Sequence, residues 1–312
     1  MRILMNDMPD QLIPATTPVP AESEAAARGL RDALSRGAAT LARAGVGTAD
    51  VDAELLLAHA LETSRGGLQA AVVRGVTLNE TDASTYESLI ARRAAREPLQ
   101  HIVGTAPFRM LELAVGPGVF VPRPETEILA QHAIDALLAA STPEPRAVDL
   151  GTGSGALALA LASEVPHARV WGVENSVDAF VWARENRERV GAQNARIVFH
   201  DIAGALPELD GTVDVIVSNP PYVPDGAIPR DPEVRLFDPE QALYGGPDGL
   251  DVVRVISREA RRLLHPGGFI AIEHGEWQGP AVREILTADG WRAAATHPDL
   301  TMRDRVTTAI RT

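Results

Sequence analysis

The chain has 312 residues, room for about two domains, and at 45% hydrophobic it can bury a sizeable core, which excludes global disorder. Its formal charge of -13, from 29 basic and 42 acidic residues, argues against a direct nucleic-acid partner, because phosphate binding needs clustered Lys and Arg. The absence of cysteine excludes disulfides, thiolate metal sites and cysteine nucleophiles, and fits a reducing, cytoplasmic setting.

Residues 1–21 begin "MRILMNDMPDQLIPATTPVP", with an apolar stretch of only Ile3 to Met5 before Asp7 and Asp10, so a flexible extension is expected rather than a signal peptide. No apolar run approaches the ~18 residues that span a bilayer. Residues 22–98 read as a helical domain. "AESEAAARGLRDALSRGAATLARAG" is rich in Ala, Leu and Arg, with Gly45 placed to cap its end. "TADVDAELLLAHALE" repeats Val51, Leu55, Ala58 and Leu61 on one face, widened by Leu56 and Leu57. "TDASTYESLIARRAARE" offers Thr81 or Asp82 as a cap for another helix.

Residues 99–125 change character, with Gly104, Pro107, Gly116, Pro117, Gly118, Pro122 and Pro124 punctuating the chain. "FRMLELAV" and "VFV" between them predict a β-hairpin linking two domains. "RPETE" at 123–127 suits a proline-initiated helix start, with Glu125 and Glu127 favouring the helix N-terminus.

Residues 126–312 alternate. "RAVDLG", "RVWGVE", "RIVFHD", "VDVIVSN" and "GFIAIEHG" are strand-like, and "WRAAATHPD" and "DRVTTAIRT" complete seven. "ALALALASEV", "VDAFVWARENRERV", "LDVVRVISREARRLL" and "AVREILTADG" are the helices between. Such alternation predicts an α/β fold, a Rossmann-like doubly wound sheet.

Three strand ends carry chemistry. Gly151, Thr152, Gly153, Ser154 and Gly155 join a strand to a helix, where glycines let backbone approach a ligand. Glu174 ends the next strand, at the spacing of an acid that accepts from ribose hydroxyls. Asp201, followed by Ile202, ends the third; it can accept from an adenine amino group or cap a turn. This layout leaves NAD and S-adenosylmethionine both open. The fourth strand ends at Asn219, Pro220, Pro221 and Tyr222. Proline has no N–H for a ladder and stiffens the residue before it. Asn219 and Pro220 are therefore held stiffly with their carbonyls aimed in fixed directions, either simply as a rigid exit loop or as preset acceptors for an amino or amide group. If the first and fourth strands are neighbours, this loop and the glycine loop share the crevice at the switch in strand order.

Asn-Pro-Pro-Tyr beside a glycine loop resembles the methyltransferases that methylate planar nitrogens. "VDAELLLAHAL", "REPLQHIVGTAPF", "VFVPRPETE", "VDLGTGSGALALALA", "IVSNPPYVP", "ALYGGPDGLD", "GGFIAIEHGEWQG" and "DLTMRDRVTTA" are each similar to segments of the bacterial peptide chain release factor glutamine methyltransferases, in the family's order. The resemblance implies an S-adenosylmethionine-dependent enzyme that methylates N5 of the glutamine in the Gly-Gly-Gln loop of release factors. It assigns the glycine loop to the methionine part of the cofactor, Glu174 to the ribose, Asp201 and Ile202 to the adenine, and "RPETE" to closing the methionine end. Asn219 and Pro220 would hold the acceptor amide, with Pro221 beside them and Tyr222 over its plane. The family often has an aromatic residue at the position of Ile202 and Asp at that of Glu174. A ribosomal-protein glutamine and a DNA adenine remain alternative acceptors, as does a non-catalytic cofactor-binding module. None of the eight histidines falls in a metal-ligand spacing. His274 is expected to serve the backbone, and Trp171 and Trp182 to pack in the core or at its edge.

Overall fold

The computed structural model describes residues 29–312, so the proposed extension at 1–21 lies outside the described residues. Five helices come first: α1 (Leu30–Arg43), α2 (Ala49–Ala60), α3 (Arg65–Val73), α4 (Glu80–Ala94) and α5 (Leu99–Val103). Leu41, Leu56, Leu57, Leu68, Ile90 and Ile102 close their common core. Gly45, at φ +76°, takes the left-handed turn that ends α1, as its sequence suggests.

Two details differ from the sequence reading. The buried face of α2 centres on Ala53, Leu56 and Leu57 while Val51 is exposed, because Asp52 and Glu54 also turn inward to meet cationic partners. Asp52 pairs with Arg93 at 2.7 Å, and Glu54 with Arg65 at 2.6 Å. The N-cap of α4 is Asn79, whose side chain accepts from the Asp82 backbone N–H at 2.8 Å; neither Thr81 nor Asp82 caps.

α5 lies inside the stretch read as linker. The hairpin that follows is β1 (Thr105–Phe108) with β2 (Leu111–Ala114), antiparallel, with Phe108 paired to Leu111 across the turn. The "VFV" segment is not one of its strands; Val119 and Val121 instead pack as buried loop residues against Ala106 and Val115.

The second domain runs α6 (Thr126–Leu138), β3 (Arg146–Leu150), α7 (Ala156–Glu164), β4 (Arg169–Glu174), α8 (Val177–Val190), β5 (Ala195–Phe199), β6 (Val213–Ser218), α9 (Pro232–Phe237), α10 (Glu240–Leu243), α11 (Asp251–Leu263), β7 (Leu264–Glu273), α12 (Gly279–Ala288), β8 (Arg292–Pro298) and β9 (Asp304–Ile310). The sheet order is β5-β4-β3-β6-β7-β9-β8, parallel except that β9 runs antiparallel to both its neighbours. β3, β4, β6 and β7 are apolar on both faces because helices cover both. α7, in "ALALALASE", is buried all round from Ala156 to Ala162. The strand order reverses between β3 and β6, which pair in register from Ala147–Val215 to Asp149–Val217. No helix among the described residues is long and apolar enough to cross a membrane.

Candidate functional site

The β3–β6 pairing puts two strand exits side by side, and the Ser218 hydroxyl donates to the Leu150 carbonyl, tying one exit to the other. A pocket of about 540 Å³ opens there. Gly151 to Ser154, Glu174, Ile202 and Asn219 to Tyr222 line it, so residues far apart in sequence share one crevice.

In the glycine loop Gly151, Gly153 and Gly155 sit at φ +77°, +57° and +87°, which a side chain would strain. A Cβ built on Gly151 or Gly153 meets no atom within 4 Å, so these two bound open pocket space. Gly155 is not at the pocket wall; it forms the N-cap of α7. Thr152 donates from its hydroxyl to the Asp149 carboxylate at 2.6 Å. Burial pushes Asp149 up to about 7, against the pull of Thr152 and the Ala158 N–H. Asn186 secures the loop from behind: its Nδ2 donates to the carbonyls of Ser154 and Ala114, both at 2.9 Å. It thereby also fixes the end of the hairpin.

Glu174 is buried, and its carboxylate accepts from the backbone N–H groups of Gly153 at 2.7 Å, Asn175 at 3.0 Å and Ser176 at 2.8 Å. It shapes the glycine loop as well as facing the pocket. Asp201 does not line the pocket. Its carboxylate accepts from the Ala203 N–H at 2.8 Å and from Asn175 Nδ2 at 3.2 Å, the turn-capping role that its position also allowed. Ile202 does line the pocket and packs on the core beneath.

Asn219 donates from Nδ2 to the Thr126 hydroxyl at 3.2 Å, which leaves Oδ1 as its free acceptor. Pro220 is buried and Tyr222 half-buried. Desolvation, and then the negative charge of Glu273, push the Tyr222 phenol up to about 12, so it stays neutral. The loop is held from the other side by "YGGPDG". The Gly245 N–H donates to the Val223 carbonyl at 2.9 Å, and beside that segment the Val223 N–H donates to the Leu243 carbonyl at 2.8 Å and Gln278 Nε2 to the Tyr222 carbonyl at 3.0 Å. Gly245 and Gly249 let these backbones meet: a Cβ on Gly245 would lie 2.4 Å from the Pro221 carbonyl oxygen, and one on Gly249 2.2 Å from that of Tyr222.

"RPETE" both starts a helix and walls the pocket. Glu125 is the N-cap residue of α6, and Arg123, Glu125 and Thr126 face the cavity. Arg123 lies over the Phe120 ring and pairs with buried Asp238 at 2.6 Å. Glu273 and Arg305 complete the lining and were not singled out from sequence. The acid at the end of "FIAIE" was the available signal for Glu273. His274, its neighbour, is fully buried and bonds the Thr307 hydroxyl and the Gly275 carbonyl at 2.8 and 2.9 Å, the structural role expected of it. Trp171 is buried in the core, and Trp182 donates to the Pro117 carbonyl at 3.2 Å. No group of three or more metal-ligating side chains occurs among the described residues.

Two family models match: a PrmC N-terminal domain over residues 32–104 and a methyltransferase domain over 141–299. A release factor glutamine methyltransferase of Streptomyces coelicolor is 51% identical over 86% of this chain and 93% of its own. One of Mycolicibacterium smegmatis is 46% identical over 90% of this chain and 98% of its own. A 4-amino-L-phenylalanine/4-methylamino-L-phenylalanine methyltransferase of Streptomyces pristinaespiralis is 42% identical over 92% of this chain and 97% of its own. Among solved structures, a Thermus thermophilus 16S rRNA N2 G1207 methyltransferase with AdoMet and guanosine superposes with a TM-score of 0.50 at 24% identity. It covers 67% of this chain and 50% of that one, and shares the fold.

Proposed function

From the chain's membership of the release factor glutamine methyltransferase family, which its relatives show, we propose the residue roles by which it methylates its substrate. It is an S-adenosylmethionine-dependent enzyme acting on release factors. The pocket suits that cofactor. Open space flanks Gly151 and Gly153, Ile202 offers an apolar surface, and Glu125, Glu174 and Glu273 provide negative potential for a sulfonium. Glu174 holds a ribose hydroxyl on the one lone pair left on Oε2 after its three backbone bonds, and Ile202 flanks the adenine. Asp201 acts on the adenine side only indirectly, through the turn it caps.

The cofactor, when bound, supplies an electrophilic methyl group. The substrate is the side-chain amide of the glutamine in the Gly-Gly-Gln loop of class 1 release factors. Its nitrogen is a poor nucleophile, because the lone pair is delocalised into the carbonyl. Asn219 Oδ1 and the Pro220 carbonyl accept its two N–H groups, favour lone-pair density on nitrogen and fix its approach. Tyr222, neutral and anchored by its own carbonyl, covers the amide plane. Positioning and preorganised acceptors carry the rate, and no covalent enzyme intermediate is required.

The observation that carries this reading is the Asn219–Thr126 hydrogen bond, which turns the amide so that Oδ1 is the free end. The first domain, with its own core and no strand-end acid, is proposed to recognise the release factor. The net negative charge argues against nucleic acid as a direct partner, and a cytoplasmic location follows from the substrate.

The test incubates the protein with S-adenosylmethionine and intact release factor and maps the product by mass spectrometry. A single methyl on the Gly-Gly-Gln glutamine is expected. Free 4-amino-L-phenylalanine, the kind of acceptor named for the Streptomyces pristinaespiralis relative, is the control. Turnover of that amine with none of release factor would overturn the assignment. A ribosomal-protein glutamine and an adenine in DNA complete the panel.

A further inference from the structure

Three large apolar side chains stand almost wholly in solvent beside the acceptor end of the pocket. Trp277 is 86% exposed, Leu300 88% and Met302 80%. Trp277 lies in the turn between β7 and α12, and Leu300 and Met302 in the turn between β8 and β9. One exposed apolar residue is ordinary on a protein surface, but several large ones gathered together mark a contact.

The sheet gathers these three. β9 runs antiparallel to β7 and β8, so the β8–β9 turn sits at the end where β7 exits. The His274 N–H donates to the Arg305 carbonyl at 2.9 Å, and the Arg305 guanidinium to the His274 carbonyl at 3.2 Å. Farther out, Arg303 lies 3.7 Å from Glu276, which links the neighbour of Met302 to the neighbour of Trp277. Both turns are built. The Asp299 carboxylate accepts from the Thr301 N–H and hydroxyl at 2.8 and 2.6 Å, and Gln278 Oε1 accepts from the Gly275 N–H at 2.8 Å. Met302 sits at φ +66°, where glycine would fit without strain, so its side chain is held out against a local cost.

The patch continues into the pocket wall. Gln278, next to Trp277, is the group that donates to the Tyr222 carbonyl, and a Cβ on Gly275 would lie 3.8 Å from the Tyr222 ring. Arg305, 3.6 Å from Asp299, lines the pocket itself. The first domain reaches the rim through α9, on a different wall.

We propose that Trp277, Leu300 and Met302 form a docking rim for the release factor, receiving apolar side chains that flank its glutamine loop. The proposal rests on the release factor reading above and deepens it. A glutamine can reach Asn219 only if the loop bearing it comes down over the pocket mouth. The protein surface beside that loop then lies on whatever surrounds the mouth, and the rim is the apolar part of those surroundings. Trp is enriched among the few interface residues that carry most of the binding energy, and Met adapts to irregular partners. A free amino-acid acceptor would enter the pocket without touching the rim, so the rim favours a protein substrate.

The experiment compares the parent with Trp277→Ser, with Leu300→Ser/Met302→Ser and with the triple variant. All three positions are exposed, so circular dichroism and calorimetric affinity for S-adenosylmethionine should match the parent. Surface plasmon resonance measures binding of intact release factor to enzyme saturated with S-adenosylhomocysteine. Steady-state kinetics follow methylation of the intact factor and of a capped Gly-Gly-Gln tripeptide. Trp277→Ser is expected to weaken binding and raise KM for the intact factor by ~10-fold or more, and the triple variant by ~10². Efficiency on the tripeptide stays parental. Parental affinity and KM in the triple variant, with the parent active, would refute the rim and leave the substrate standing. An equal loss on factor and tripeptide would also refute it, because the side chains would then act through Tyr222. A parent dimer that the triple variant dissociates in sedimentation velocity, with release factor affinity unchanged, would give the rim to a second copy and overturn the proposal. A parent that neither binds nor methylates release factor overturns the substrate reading itself, and the rim with it.

Discussion

Glu174 and Glu273 are both buried acids in one pocket, and their environments assign them opposite work. Glu174 accepts three backbone N–H groups and so shapes the glycine loop. Removing it costs the loop's anchor and, on the proposed reading, a ribose contact as well, each charged hydrogen bond being worth about 1.5–3 kcal/mol. Glu174→Ala is expected to weaken S-adenosylmethionine binding by ~10-fold or more in calorimetry; unchanged affinity would place the ribose elsewhere. Glu273 lacks such donors, and burial raises it from 4.5 to about 7. A carboxyl group raised in the fold is protonated there while the unfolded chain has already ionised. Its contribution to stability is therefore best at low pH and declines as pH rises from the unfolded value to about 7. Asp149, also raised to about 7 by burial, acts in the same direction. Glu273→Gln is thus expected to melt ~2 °C or more above the parent at pH 8, with no gain at pH 4.5. Differential scanning calorimetry at the two pH values checks this, and an equal shift at both would mean that the charge is not what burial penalises.

At the scale of elements, the strands β3, β4, β6 and β7 were legible because strands buried on both faces read as short apolar runs. Their order was not legible: the sequence allowed only that the glycine loop and Asn219 share a crevice if β3 and β6 are neighbours, and the structure pairs those two strands. The hairpin was displaced in the reading because "VFV" has strand composition, yet Val119 and Val121 are buried by loop packing rather than by a ladder. Helices α9 and α10 went unread, being single turns without room for a periodicity. Asp201 satisfied a spacing that a turn cap satisfies equally well. The Asn219–Thr126 bond could not be seen at all, because it joins a loop and a helix start that only the sheet brings together. The "YGGPDG" segment is similar to its family counterpart for a physical reason, close approach. Gly249 sits at φ +75°, and a Cβ there would lie 2.2 Å from the Tyr222 carbonyl oxygen and 2.8 Å from Gln278 Nε2, the group that holds it. Gly249→Ala must therefore shift the Asn-Pro-Pro-Tyr loop, and a displacement near 1 Å costs ~10² in rate. Kinetics on intact release factor should show that loss with cofactor affinity close to the parent's. Parental kcat would mean that the loop absorbs the intrusion without moving its acceptors.

Across the whole molecule, the two domains meet through Glu233. It pairs with Arg93 at 2.8 Å and Arg96 at 2.5 Å, both at the end of α4, and Arg93 also holds Asp52. Glu233 lies on α9, whose flanking Asp231 and own Val234 line the pocket. The first domain is thereby fastened to the pocket rim. A release factor that touches the first domain with its body and the pocket with one glutamine binds at two patches, and the second contact gains from the effective concentration the first creates. That gain depends on the patches keeping their register. Glu233→Gln leaves Arg93 paired with Asp52, so the helical core stays intact, but it takes the charge out of the clamp. The Michaelis constant for intact release factor is expected to rise ~10-fold or more, towards the ~10² of losing the first domain's contact altogether. A short Gly-Gly-Gln peptide, too small to reach the first domain, should be methylated by the variant and the parent at the same low efficiency. Steady-state kinetics with both substrates make the comparison. An unchanged constant for the intact factor would show that the clamp does not hold the two patches in register, and an equal loss on the peptide would place the effect in the pocket itself.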